Sequence, residues 1–143
     1  MAEYVDAVEL DEAAVAFARR IMPLRNVRWI HDDICNPSRT FRGYDLVVMV
    51  EVIEHIQAKD KALTNLHHAI RPGGSAIITA PNSLRGRKRA EALNVMEWTP
   101  GQFAADLRQY FQAVWLLDAT LSPMTADLQY STTPIIAGVH RGR

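Results

Sequence analysis

The sequence has little of what commits a chain to a special environment. It has one cysteine, Cys35, among 143 residues. One thiol cannot close an internal disulfide and cannot supply the paired ligands of a cysteine zinc site. A reducing compartment suits such a chain, so the expected location is cytoplasmic. No apolar run approaches the roughly 20 residues that cross a bilayer, so no membrane partner is expected. Met1 to Asp11 contains acids and no Lys or Arg, so this stretch is not expected to be the basic start of a secretory signal. Excess charge is lacking too: 16 Lys and Arg balance 16 Asp and Glu. A neutral chain exerts no general pull on nucleic acid. Glycine is sparse at seven residues, and no two of them make a Gly-x-Gly loop.

What is present suits one packed core: 48% of the residues are hydrophobic, and neither a repeat nor a low-complexity linker interrupts them. The expectation is a single domain over residues 1–143. Tyr4 to Leu10 reads as a strand. Asp11 is placed to cap a helix from Glu12 to about Ile21, with Pro23 ending it. Asn26 to Ile30 is a second strand. Tyr44 to Val50 holds an unbroken run, Leu46-Val47-Val48-Met49-Val50, which fits a parallel strand buried on both faces. Lys59 to Ile70 has helical spacing. Pro72, Gly73 and Gly74 read as a turn, and Ser75 to Ala80 as the next strand. Thr99-Pro100-Gly101-Gln102 has the form of a capping box with Pro at the first helical position. Ala113 to Leu117 and Pro134 to about Val139 are the last strands. With no helix between them, that pair should be antiparallel.

Strands alternating with helices imply an α/β chain, a doubly wound and mostly parallel sheet with an antiparallel C-terminal strand pair. Such sheets bind ligands at the carboxyl ends of their strands. Acids stand at those ends: Glu9, Asp32, Asp33 and Glu51.

Four segments occur in an ordered set: Val8-Glu9-Leu10-Asp11, Asp32-Asp33-Ile34, Tyr44 through Ile56, and Ile70-Arg71-Pro72-Gly73-Gly74. In order and spacing they resemble the class I, Rossmann-like, S-adenosylmethionine (SAM)-dependent methyltransferases. The resemblance covers nearly the whole chain and implies SAM as cofactor. It implies that Glu9, beside Leu10, accepts from the ribose hydroxyls, since a carboxylate has two oxygens for a vicinal diol. It implies that Asp33 lies at the adenine amine with Ile34 on the ring, Asp32 being the adjacent alternative. Glu51 would lie near the methionine part and the methyl-transfer path. His55 is the candidate base by residue type. Arg85, Arg87 and Lys88, with Arg89, form a basic cluster on the expected substrate side, suited to a phosphate or carboxylate. The bland readings are a loop acid or cap for Glu9 and Asp33, and a solvated loop for the basic cluster.

The same resemblance calls for a first strand and a Gly-x-Gly loop before Val5, where four residues stand. The expected fold is therefore the Rossmann-like methyltransferase fold, N-terminally incomplete. A late reading-frame start, a fragment that pairs with a second chain completing the sheet, or a degenerate relative would each account for it. The expected activity, in a full-length or paired form, is methyl transfer to an O or N of a small molecule. Glu51, Glu54 and His55 also resemble the Glu-x-x-Glu-His of metal-dependent RNA ribose 2′-O-methyltransferases, and Met96-Glu97-Trp98-Thr99 resembles a later segment of that family. Asn94, however, stands where its second metal-binding His is expected. A non-catalytic interaction subunit is the third reading.

Overall fold

The structure, a computed structural model, describes residues 2–83, 96–117, 120–123 and 135–142. It divides into two compact units, Met1–Thr40 and Phe41–Arg143.

The first unit is a strand–helix–strand. β1 is Val5–Glu9, α1 is Glu12–Ile21 and β2 is Val27–His31. Asp11 caps α1 as expected, its side chain accepting from the Ala13 N–H at 2.8 Å. Glu12 sits in the first turn and Arg19 and Arg20 in the last, each on the end of the macrodipole that favours its charge. Met22 closes the helix through its N–H to the Ala18 carbonyl. β1 and β2 run parallel from Val5 opposite Val27 to Glu9 opposite His31. Asp6 and Arg28 face each other across this pair and join in a two-pronged ion pair at 2.9 and 2.6 Å. Val15 and Ile30 are the fully buried apolar residues of this unit.

The second unit holds β3 (Tyr44–Met49), α2 (Lys59–Ala69), β4 (Ile70–Ala80), α3 (Pro100–Leu107), β5 (Ala113–Leu117) and β6 (Ile135–His140). Its sheet has the order β3-β4-β6-β5. β3 and β4 are parallel, while β6 is antiparallel to both β4 and β5. The C-terminal pair is therefore antiparallel, as its missing helix implied. Leu63, Leu66, Ile70, Ile78, Phe103, Leu107, Ile135 and Val139 fill the core.

Thr99 forms the full capping box with Gln102, and Pro100 opens α3. The Lys59 Nζ meets the Asp106 carboxylate at 2.5 Å, and the Trp98 indole donates to the same oxygen at 2.9 Å. Burial pushes the Asp106 carboxyl up, but Lys59 and Trp98 outweigh it and hold it below the usual range. Trp98 thus packs the start of α3, its ring against Phe103. Tyr110 donates to Asp60 at 2.7 Å; burial and then that carboxylate push its phenol up to about 12.

Two expectations are corrected. β3 is not buried on both faces: Leu46, Val48 and Val50 are 52%, 57% and 56% exposed, and Met49 is the buried residue of the run. β3 is the edge of its four-stranded sheet, and alternation puts Leu46 and Val48 on one face. Pro72-Gly73-Gly74 is not a separate turn. It lies inside β4 as an irregularity, with Tyr44 opposite Ile70 but Leu46 opposite Ser75. Gly73, at φ +74, takes up the extra residues in a conformation that favours glycine. Arg71 donates from this segment to Asp45 at 2.7 Å, so Asp45 has a structural partner. No helix among the described residues is long and apolar enough to cross a membrane.

Candidate functional site

In the first unit, the parallel register delivers two acids to one end. Glu9 ends β1, and the Asp32 N–H just past β2 donates to the Glu9 carbonyl at 3.1 Å. Glu9 is exposed, and its Oε1 accepts from the Asp11 N–H at 2.9 Å. That bond fixes the side chain over the start of α1 and leaves Oε2 for another donor. Leu10 beside it is 66% exposed.

Asp32 is used differently. It is 8% exposed and its oxygens are committed to the loop after β2. Oδ1 accepts from the Asp33 N–H at 3.0 Å and the Ser38 N–H at 2.8 Å. Oδ2 accepts from the Ser38 hydroxyl at 2.9 Å and meets the Arg39 Nε at 3.3 Å. Burial raises its pKa, but the Ser38, Asp33 and Arg39 donors prevail and hold the carboxyl below the usual range. Asp33 is half-buried and accepts from the Cys35 N–H at 2.7 Å and the Asn36 amide at 3.3 Å. A carboxylate has about four acceptor positions, so Asp33 retains capacity that Asp32 has spent. Ile34 is half-buried next to it.

In the second unit, Glu51 follows β3 at φ +51, a left-handed conformation that costs a side-chain-bearing residue energy and is frequent at functional sites. Thr79 of β4, 5% exposed, holds it there. The Glu51 N–H donates to the Thr79 hydroxyl at 3.0 Å, and that hydroxyl donates to Glu51 Oε1 at 2.9 Å. Thr79 was not singled out in the sequence. The signal available was a hydroxyl among apolar residues of a buried strand. Glu54 and His55 lie in a 3-10 turn, Ile53–His55. Glu54 is buried, while the His55 side chain is 43% exposed with Nε2 3.7 Å from Glu54 Oε1.

Among the described residues, no three His, Cys, Asp or Glu side chains are grouped to hold a metal. Glu51 turns to Thr79, and Glu54 stands beside His55. His67 and His68 meet edge to face at 5.9 Å and join no such group. Arg85, Arg87, Lys88, Arg89 and Asn94 lie outside the described residues.

A family model described as a methyltransferase domain matches residues 1–76. This chain belongs to the methyltransferase domain family. It is 26% identical over 132 residues to an uncharacterised methyltransferase of Mycobacterium bovis, covering 78% of this chain and 66% of that relative. The chain thus spans under two thirds of the length of a curated methyltransferase that it matches. Its fold is similar to a chain of the complex between the Haloferax volcanii Trm112 methyltransferase activator and a methyltransferase. The TM-score is 0.75 at 11% identity, covering 99% of this chain and 73% of that one. It is also similar to an S-adenosylmethionine-dependent methyltransferase of Mesorhizobium loti, with TM-score 0.71, 14% identity, and 97% and 81% of the two chains covered. The α/β architecture is the Rossmann-like one of class I methyltransferases.

Proposed function

We propose that this chain is the cofactor-ribose and adenine side of a SAM-dependent methyltransferase that acts on an O or N of a small molecule. The observation that carries the reading is the pairing of Glu9 and Asp32 at the carboxyl ends of two parallel strands, joined by the 3.1 Å bond from Asp32 to Glu9. A ribose diol offers two donors, and the Glu9 carboxylate offers an exposed oxygen at the strand end. Asp33, with Ile34 beside it, is the better-suited adenine acceptor, because the Asp32 oxygens already hold the loop. Asp32 then shapes the adenine loop rather than touching the base. The hydrogen bonds from Cys35 and Asn36 hold the Asp33 carboxylate in place, which lowers the ordering cost of binding.

SAM supplies the electrophilic methyl group when bound. The protein's part is to position and to exclude water. Glu51 is held in one orientation by Thr79, at the position that the resemblance assigns to the methionine side. His55, partly exposed on its turn, is the proton acceptor for an acceptor hydroxyl or amine. A glycine-rich loop for the methionine end is absent from the sequence. Activity of the whole protein, its methyl acceptor, and any second chain that completes the sheet belong to this proposal. One structural relative was solved with a methyltransferase activator, which supports testing the paired form. Placing residues 1–143 in one domain, in a cytoplasmic enzyme, is part of the same reading.

Calorimetric titration with S-adenosylhomocysteine tests it. Saturable binding is expected, with Glu9→Ala weakening it at least tenfold and Asp33→Asn weakening it less. Absence of binding by the chain, and equally by the full product of its gene, sinks the proposal.

A further inference from the structure

We propose that a second site in the first unit, on the outer side of β2, binds the phosphate group of a phosphorylated small molecule. A cavity of about 290 Å³ lies there, lined by Arg19, Arg28, Trp29, Ile30, His31 and Arg39. Neither Glu9 nor Asp33 lines it, so the site is separate from the ribose and adenine ligands.

The geometry comes from the strand pair. The Asp32 N–H points toward β1, where it meets the Glu9 carbonyl. Successive residues of a strand turn their backbone groups to opposite sides, so the Trp29 carbonyl faces away from β1. The Arg19 guanidinium, in the last turn of α1, reaches that carbonyl at 2.7 Å. The Trp29 indole is tied down in turn by its N–H to the Met22 carbonyl at 3.3 Å. Ring and guanidinium are thus both fixed before any ligand arrives, which lowers the ordering cost of binding.

Charge decides the ligand class. Three guanidiniums line the cavity and no carboxylate does. Arg28 is matched by Asp6 and Arg39 by Asp32. Arg19 has a neutral partner, the Trp29 carbonyl, so its charge is not compensated by a carboxylate among the described residues. A guanidinium has five donors in a planar fork; Arg19 spends one there, and Arg39 meets Asp32 through Nε. The remaining donors suit the several oxygens of a phosphate, and the fork suits it better than a point charge does. The cavity volume lies at the small end of small-molecule sites, about 300 Å³. The half-buried Trp29 adds apolar surface to that space, so the phosphate is expected to carry an organic body.

Phenyl phosphate and inorganic phosphate, titrated into the whole chain by calorimetry and by the Trp29 indole NMR resonance, test this. Saturable binding is expected, tighter for phenyl phosphate. Arg19→Met should weaken it at least tenfold and Arg19→Lys by less. Arg20→Met, whose guanidinium stacks 5.5 Å from the Phe17 ring, should leave it unchanged. S-adenosylhomocysteine should not compete. No saturable binding of either probe, or equal loss in Arg20→Met, overturns the site. No gain from the phenyl ring overturns the small-molecule assignment. Displacement by S-adenosylhomocysteine would make the cavity part of the cofactor site instead. Melting curves of the variants separate loss of binding from loss of fold.

Discussion

Glu51 and Thr79 hold each other through two hydrogen bonds of opposite direction, backbone N–H to hydroxyl at 3.0 Å and hydroxyl to carboxylate at 2.9 Å. The hydroxyl is buried, so water is a poor replacement for either bond. Thr79→Val keeps the branched shape that suits a strand and deletes both. It should cost about 1–3 kcal/mol of stability, the range for leaving a buried polar group without its partner. Thr79→Ser retains the hydroxyl and should lose less. Urea unfolding of the two variants checks this, and a larger loss in Thr79→Ser than in Thr79→Val would show that the methyl packing matters more than the two hydrogen bonds.

The backbone at Glu51 can be tested apart from its side chain. Its φ of +51 disfavours any residue with a Cβ by about 1–2 kcal/mol. Glu51→Ala and Glu51→Gly both delete the carboxylate, but only glycine relieves the backbone. The glycine variant should therefore be more stable than the alanine variant by about 1 kcal/mol. Both should weaken S-adenosylhomocysteine if Glu51 has the proposed role. An alanine variant as stable as the glycine one would mean that the turn relaxes out of its left-handed form.

Most of the element order was legible because local chemistry decided it. Asp11 and Thr99 cap the helices they precede, and a cap acts within a few residues of itself. Tertiary context decided the rest. The run Leu46 to Val50 reads as doubly buried, yet exposure depends on what covers a strand, and β3 is an edge. Gly73 and Gly74 read as a turn, yet two glycines also suit an irregular strand, and the long register with β3 selects that. The strand-end positions of Glu9, Asp32 and Asp33 were legible from the order of the elements, whereas the different surroundings of Asp32 and Asp33 were not. Only the hydrogen bonds of Ser38 and Arg39 to Asp32 separate them. The clamp by Thr79 spans 28 residues, so the sequence shows a hydroxyl on an apolar strand but not the partner that it holds.

Asp32 should make the first unit sensitive to acid. Its folded pKa lies below the ordinary 3.8. The unfolded chain therefore binds the proton first as pH falls. The stabilisation by Asp32 is full above the unfolded value of about 3.9 and is lost as pH falls through the folded value. Asp32→Asn cannot ionise. Its deficit relative to the parent should be largest near neutrality and shrink below about pH 3.9. Denaturant unfolding across that range reads the difference, and a deficit independent of pH would assign the effect to packing rather than charge.

Two glycines should respond to alanine with opposite sign. A Cβ on Gly74 would lie 2.7 Å from Ile70 Cγ2 and 3.0 Å from both the Arg71 and Asp45 carbonyl oxygens. Two of those neighbours are backbone, one in β3 and one in β4, so they cannot turn aside. Gly74→Ala should cost about 1–3 kcal/mol, the range for overpacking, and loosen the Asp45–Arg71 end of the sheet. Gly101 lies in the first turn of α3, and a Cβ there meets nothing within 4 Å. Gly101→Ala should gain about 0.5–1 kcal/mol from the smaller backbone freedom of the unfolded chain. Thermal melts of the two variants decide it. A Gly74→Ala protein as stable as the parent would mean that β4 shifts its register at little cost, and that the close approach of Asp45 to Gly74 does not fix how β3 and β4 align.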